Sequence, residues 1–385
     1  MYNPLVYEGA IAVFLITLGL GQLISTQWGL RAASLVGPSR LVGYGLGTGL
    51  VVAGAWLLPP SWSVLVWTFL AGPLVVGLQL LGGSSIVPPP HPNQLFSVDH
   101  PAHGSCLAVQ IPDGEQMMPG LLLRPAHSAA AKAQGAAVCL AHRAGDTKTS
   151  FKWRLIQAFL AEGLTVLTVD LPGHGDYRHY PLAYPDCLTA IPAAIKFLHG
   201  QPGIERVGLA GISLGSVLAI RSLAEHCPAP ATTGPVEGTQ PDACWEVKAL
   251  VAFETPVRLQ YSRALFYGEM WRTYYGAPVL SLLKEMSCRQ MWQSWHTGGY
   301  RSRHNTAELI DLLRPLEHIS QLKEIPILIV YSQRDLIAPP AAALALQEAA
   351  PQATLLEAKK ASHVTLTLSP EINRQAACWL REQLS

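Results

Sequence analysis

The residues best able to do chemistry begin with Ser213, which sits between two glycines in Gly211-Ile212-Ser213-Leu214-Gly215. The pentapeptide follows an apolar run at 207–210 and precedes a helical run at 217–224. In that setting the flanking glycines allow a sharp strand-to-helix turn that presents the hydroxyl, and the helix N-terminus favours developing negative charge. A serine hydroxyl is a weak nucleophile at neutral pH and needs a base, which in turn needs a carboxylate to orient it. Both follow in the chain. Asp335 lies just beyond the apolar run 327–331, and His363 follows the last apolar segment and precedes a closing helical run at 370–383. The competing roles are a helix cap for Asp335 and a surface position for His363.

Apolar runs at 136–141, 164–169, 207–210, 249–253 and 327–331 alternate with helical segments such as 151–162 and 190–199. Short continuous runs of this kind are buried parallel strands, so the pattern predicts an α/β architecture with helices on both sheet faces. Two further runs, 106–111 and 118–123, flank Pro112-Asp113-Gly114 and predict an opening hairpin. Residues 227–244, rich in Pro, Gly and Thr, read as a surface loop. An insertion at about 256–321 carries many aromatics, among them Trp271 and Trp292, and has the length and composition of a cap over a pocket. Those rings serve either substrate contact or packing within the cap.

With these residues in order, the chain from about residue 101 to its end resembles the α/β-hydrolase superfamily, of the serine esterase and lipase kind. The resemblance implies hydrolysis through a covalent acyl-serine, with Ser213 as nucleophile, His363 as base and Asp335 as its orienting acid. Gly211 and Gly215 would shape the nucleophile turn. An oxyanion hole would use the backbone N–H of Leu214 and a second from Ala144 or Arg143, each worth roughly 3 kcal/mol. Members of the superfamily commonly carry glycine after the histidine of this loop, whereas His142 is followed here by Arg143. Its side chain would either form a surface salt bridge or meet an anionic group of the substrate. The segment 170–176, with Asp170, Gly173 and Gly175, matches a structural turn of the superfamily. No cofactor is implied. His174 with His179, and His100 with His103, lack a third ligand at supporting spacing, so no metal is expected.

Charge is distributed unevenly. Of 27 basic and 26 acidic residues, only Glu8, Arg31 and Arg40 precede Asp99. Apolar stretches at about 4–25, 41–58 and 62–81 approach the ~20 residues that span a bilayer as helix. Three transmembrane helices are therefore expected within residues 1–82, then a proline-rich linker at 83–98 and an α/β-hydrolase domain at 99–385. Residues 1–10 have no Lys or Arg and carry Glu8, which argues against a cleaved signal peptide. Gly43 with Gly47 and Gly45 with Gly49 form two small-xxx-small pairs suited to close helix contact. A net charge of +1 gives no field for a phosphate backbone, so nucleic acid is not an expected partner. Seven scattered cysteines without a C-x-x-C pair suggest neither a disulfide framework nor a zinc knuckle.

The expected protein is thus a multi-pass membrane enzyme whose substrate is a small-molecule ester, with a lipid favoured by the anchor and the aromatic insertion. Acyl transfer with the same triad, and a catalytically silent scaffold, are the rival readings. Arg31 and Arg40 lie between the first two apolar stretches, and positive charge near helix ends stays on the cytoplasmic side. A reporter fused after Ser385 is therefore expected to read as cytoplasmic, and a luminal or periplasmic signal would reverse the orientation.

Overall fold

The computed structural model describes residues 12–16, 18–20, 22–23, 40–56, 104–150, 152–226, 247–260, 262, 264–265, 268–269, 272 and 299–385. The chain divides into two compact units, Met1–Val87 and Pro88–Ser385.

In the first unit the described residues at 12–16, 18–20 and 22–23 are helical, and α1 spans Arg40–Trp56. Glycine lets these helices meet backbone to backbone. A Cβ on Gly19 would stand 2.7 Å from the Gly47 carbonyl oxygen, and one on Gly54 would stand 2.8 Å from that of Ala12. Gly45 and Gly49 point the other way, into open space. Among the described residues no helix is long and apolar enough to cross a membrane. α1 has 17 residues, which at ~1.5 Å per residue falls short of a ~30 Å hydrocarbon core. The stretch expected to span at 62–81 lies outside the described residues.

The second unit is built on one eight-stranded sheet in the order β1-β2-β4-β3-β5-β6-β7-β8. Its strands are β1 Ser105–Asp113, β2 Gln116–Arg124, β3 Ala136–Ala141, β4 Thr165–Val169, β5 Arg206–Ile212, β6 Val247–Phe253, β7 Ile327–Ser332 and β8 Thr354–Ala358. The opening hairpin is antiparallel, and β2 joins β4 antiparallel. Every later pairing is parallel. Between and after the strands run α2 Trp153–Ala161, α3 Ala190–His199, α4 Leu214–His226, α5 Thr306–Leu313, α6 Pro315–Ile319, α7 Pro340–Ala349 and α8 Pro370–Gln383.

The central strands are apolar throughout because both faces are covered. Ala137, Cys139 and Ala141 of β3 face α3, α4 and α7 in one core. Ala136, Val138 and Leu140 face α2 and α8 in the other. Alternate side chains of a strand point to opposite faces, so a strand buried on both sides shows no polar-apolar alternation. This mostly parallel sheet between helical layers is the α/β-hydrolase architecture. About half of the insertion at 256–321, including Trp271 and Trp292, lies outside the described residues, as does the whole loop at 227–244.

α8 packs closely on the sheet at Gly208, where a Cβ would come within 2.8 Å of Leu380. Leu380 is fully buried. Leu380→Ala is expected to lower unfolding free energy by about 2–5 kcal/mol, measured by denaturant titration. A loss below about 1 kcal/mol would show that α8 does not depend on this contact.

Candidate active site

Parallel strands collect loops at their C-terminal ends, and three such ends supply Ser213, Asp335 and His363. Ser213 stands between β5 and α4 with φ +51°, a left-handed conformation rare outside glycine. Its neighbours make that turn possible. A Cβ on Gly211 would lie 2.4 Å from the Ser216 Cα, and one on Gly215 would lie 2.5 Å from the Ala141 carbonyl oxygen. The Ser213 N–H donates to the Phe253 carbonyl at 2.8 Å, which ties the turn to the end of β6. The Ser216 hydroxyl donates to the Ser213 carbonyl at 2.6 Å and meets the Thr255 hydroxyl at 2.8 Å.

The three side chains form an unbroken relay. The Ser213 Oγ lies 2.9 Å from His363 Nε2, and His363 Nδ1 lies 2.7 Å from Asp335 Oδ2. Asp335 is held by its own loop, because its Oδ1 accepts the N–H groups of Ile337 at 2.8 Å and Ala338 at 2.7 Å. Only His363 Nε2 is left to take the serine proton. Burial opposes charge on His363, but Asp335 and then Glu254 outweigh it and push the imidazole up to about 9.

Arg143 is not a surface residue. Its guanidinium is buried, and it donates to the His363 carbonyl at 2.9 Å and to the Thr367 hydroxyl at 2.8 Å. Its Nε pairs with Asp146 at 3.1 Å, and Nη1 stands 3.9 Å from Glu254. The guanidinium therefore faces inward, joining the loop after β3 to the loop that carries His363. Surface pairing and capture of a substrate anion both fail on this burial.

The segment 142–146 rests against the serine turn, since the Gly215 position also approaches the His142 carbonyl oxygen. His142 shapes it. The Leu171 N–H donates to Nε2 at 3.0 Å, which leaves the proton on Nδ1, and Nδ1–H donates to the Arg143 carbonyl at 2.8 Å. Burial, with His174 and Lys152 nearby, holds this ring neutral. The Arg143 carbonyl also accepts the Asp146 N–H at 3.2 Å. Because N–H and C=O of one trans peptide point in opposite directions, the Ala144 N–H faces away from the His142 ring. On the serine side, the Leu214 N–H opens α4, where the first N–H groups of a helix have no intrahelical acceptor.

Asp170 organises its own turn. It accepts from the Lys148 N–H at 2.6 Å and the Asp176 N–H at 2.9 Å, and pairs with the Lys148 ammonium. Gly175 lies so close that a Cβ would fall 2.4 Å from this carboxylate. His174 stacks on Tyr300 at 4.5 Å and meets His142 edge-on at 4.7 Å.

Two carboxylates at the site have no sequence signal. Glu269, from the insertion, accepts the His363 N–H at 2.6 Å and the Leu336 N–H at 3.0 Å, bridging the histidine and acid loops. Glu254 follows β6 and is completely buried. Glu254, Asp335 and His363 bring one ligand-type atom each to within 4.8 Å of one another, but the Asp335 and His363 atoms are already engaged in the relay.

A doubly covered, mostly parallel sheet with a serine turn beneath a histidine–carboxylate pair defines a hydrolase-type protein. The chain belongs to the alpha/beta hydrolase family, whose profile matches residues 135–372. Among curated proteins no relative matches. Among solved structures, DcsB in complex with its substrate analogue superposes with a TM-score of 0.51 at 16% identity, covering 73% of this chain and 100% of that one. A bromoperoxidase from Bacillus anthracis gives 0.50 at 14%, covering 72% and 100%. Est1E from Butyrivibrio proteoclasticus gives 0.47 at 16%, covering 71% and 98%. At these identities the likenesses to DcsB and the bromoperoxidase speak for the fold alone.

The geometry has a consequence for protonation. A histidine favoured in its charged form by facing carboxylates keeps its proton to higher pH. Followed by NMR, the His363 ring is expected to titrate above the ordinary 6.5. A midpoint at or below 6.5 would mean that desolvation outweighs the facing carboxylates.

Proposed function

We propose that this protein is a membrane-anchored serine hydrolase that cleaves a carboxylic ester or related acyl bond through an acyl-serine intermediate. The observation that carries the reading is the relay from Ser213 through His363 to Asp335, at 2.9 and 2.7 Å. Ser213 Oγ attacks the acyl carbon while His363 Nε2 takes its proton. The Leu214 N–H, with that of Ala144 or Arg143, stabilises the oxyanion. His363 then protonates the departing alcohol, and collapse of the tetrahedral adduct leaves the acyl-serine. Water, deprotonated by His363, releases the acid and restores the hydroxyl. Asp335 orients the ring and stabilises the imidazolium that forms twice in each cycle. No step calls for a metal or cofactor.

Anchoring belongs to the same proposal. Its support is the near absence of charge before Asp99, together with apolar side chains on the described helices of the first unit that stand exposed, Trp56 at 87%. An enzyme held at a bilayer meets lipophilic esters at high local concentration, which favours a lipid-like acyl substrate. The orientation proposed from Arg31 and Arg40 places the hydrolase unit on the cytoplasmic side.

A fluorophosphonate, which reacts with activated serines, tests the nucleophile. The native protein is expected to label, and Ser213→Ala to abolish labelling without loss of fold. His363→Ala is expected to lower ester turnover by several orders of magnitude. Equal labelling of wild type and Ser213→Ala would refute the assignment, and an unchanged rate in His363→Ala would move the base elsewhere.

A further inference from the structure

Glu254 is a buried carboxyl that the relay does not use, and its placement is unusual in three respects. It has φ +51°, a backbone conformation that a glutamate adopts only under constraint. The constraint is visible on both sides. The preceding Phe253 carbonyl is taken by the Ser213 N–H, and the Glu254 N–H donates to the Val330 carbonyl at 2.8 Å. The chain end of β6 is thereby fixed between the strand that delivers the serine and the strand that leads to Asp335.

Its carboxylate is also fully buried, and neither oxygen has a hydrogen-bond partner. A buried polar group left without such a partner carries a large cost unless it meets another need. Finally, the charges around it come from every neighbouring loop. Arg143 Nη1 stands 3.9 Å away on the segment after β3, itself paired with Asp146. Asp335 and His363 each bring an atom within 4.8 Å of a Glu254 oxygen. Glu269, from the insertion, adds its charge nearby.

We propose that Glu254 is a second carboxylate for the catalytic histidine, a positioning residue that shares with Asp335 the stabilisation of the His363 imidazolium. The inference rests on the serine-hydrolase reading above. Asp335 binds Nδ1 directly and sets the tautomer and the ring plane. Glu254 acts through space, from the neighbouring strand end, and the Arg143 guanidinium keeps its carboxylate oriented and offsets its charge. Burial drives Glu254 well above the ordinary carboxylate range, with Arg143 and His363 pulling against it. In its ionised form Glu254 stabilises, through space, the positive charge that His363 gains with the serine proton. No bond is made or broken at Glu254.

The test is the pH dependence of fluorophosphonate labelling at Ser213 in the full chain, for wild type and Glu254→Gln. Loss of an anion facing His363 lowers the pH at which the imidazole gives up its proton. The acid limb of the labelling rate is therefore expected to move to lower pH by about one unit. In an Asp335→Asn background, adding Glu254→Gln is expected to slow labelling about tenfold further. An unmoved or upward-moved midpoint, or equal rates for Asp335→Asn and the double variant, would overturn the inference. Glu254→Met, neutral and of similar volume, supplies the same readout if the glutamine variant does not accumulate. Absence of labelling in wild type would remove the hydrolase reading and this inference with it, whereas labelling with an unshifted limb would remove this inference alone.

Discussion

The serine turn between β5 and α4 is the constraint from which the rest of the site follows. A non-glycine residue at φ +51° costs on the order of 1–3 kcal/mol, and the turn persists because its surroundings leave it no alternative. The Phe253 carbonyl holds the Ser213 N–H, the Ser216 hydroxyl holds the Ser213 carbonyl, and Gly211 and Gly215 let neighbouring backbone close in to distances that no Cβ would allow. Once the turn is set, the hydroxyl has a fixed position at the edge of the sheet. The loops after β7 and β8 then have one geometry in which a histidine and a carboxylate can reach it.

The same crowding explains why the polar groups around the relay are so thoroughly buried. Arg143, Asp146, Glu254, Asp335 and His363 are all nearly inaccessible, and each faces at least one charge or backbone dipole supplied by another residue. Placing opposite charges together offsets much of the several kcal/mol per ion that desolvation costs. It also makes protonation at one group depend on its neighbours. Such coupling is intrinsic to a cluster with this many ionisable side chains in so little space.

Much of this fold is legible in the sequence because its signals are local. Five apolar runs read as buried strands all lie on central strands, since a doubly covered strand needs an unbroken apolar run. Ser213 stands out through its flanking glycines, and Asp335 and His363 through their positions after strands. What the sequence does not reveal depends on side-chain direction and long-range approach. Arg143 looks like an exposed loop residue until its guanidinium is seen turned toward Thr367, 224 positions away. Glu254 is one acidic residue after one strand, and neither its positive φ nor its complete burial has a signal in the residues around it. Glu269 sits in an insertion whose spacing to the loops it bridges carries no information. The N-terminal helices show the opposite case, where composition is eloquent about solvent but silent about packing, so that the contact between Gly19 and Gly47 emerges only in three dimensions.

The Arg143 clamp bears on how this sequence can change over generations. A glycine at that position, common among its superfamily relatives, is not reachable by a single neutral exchange. Without the guanidinium, the Glu254 carboxylate would lose the cation that faces it, Asp146 would lose its ion-pair partner, and the carbonyl of His363 would lose its donor. Breaking a buried pair from one side costs roughly 3–5 kcal/mol, a large share of a domain's stability. An apolar replacement of Glu254 first, or of both together, leaves fewer charges stranded. Arginine and glutamate are thus bound into one heritable unit, and the order of substitutions is restricted by a contact that neither residue advertises alone.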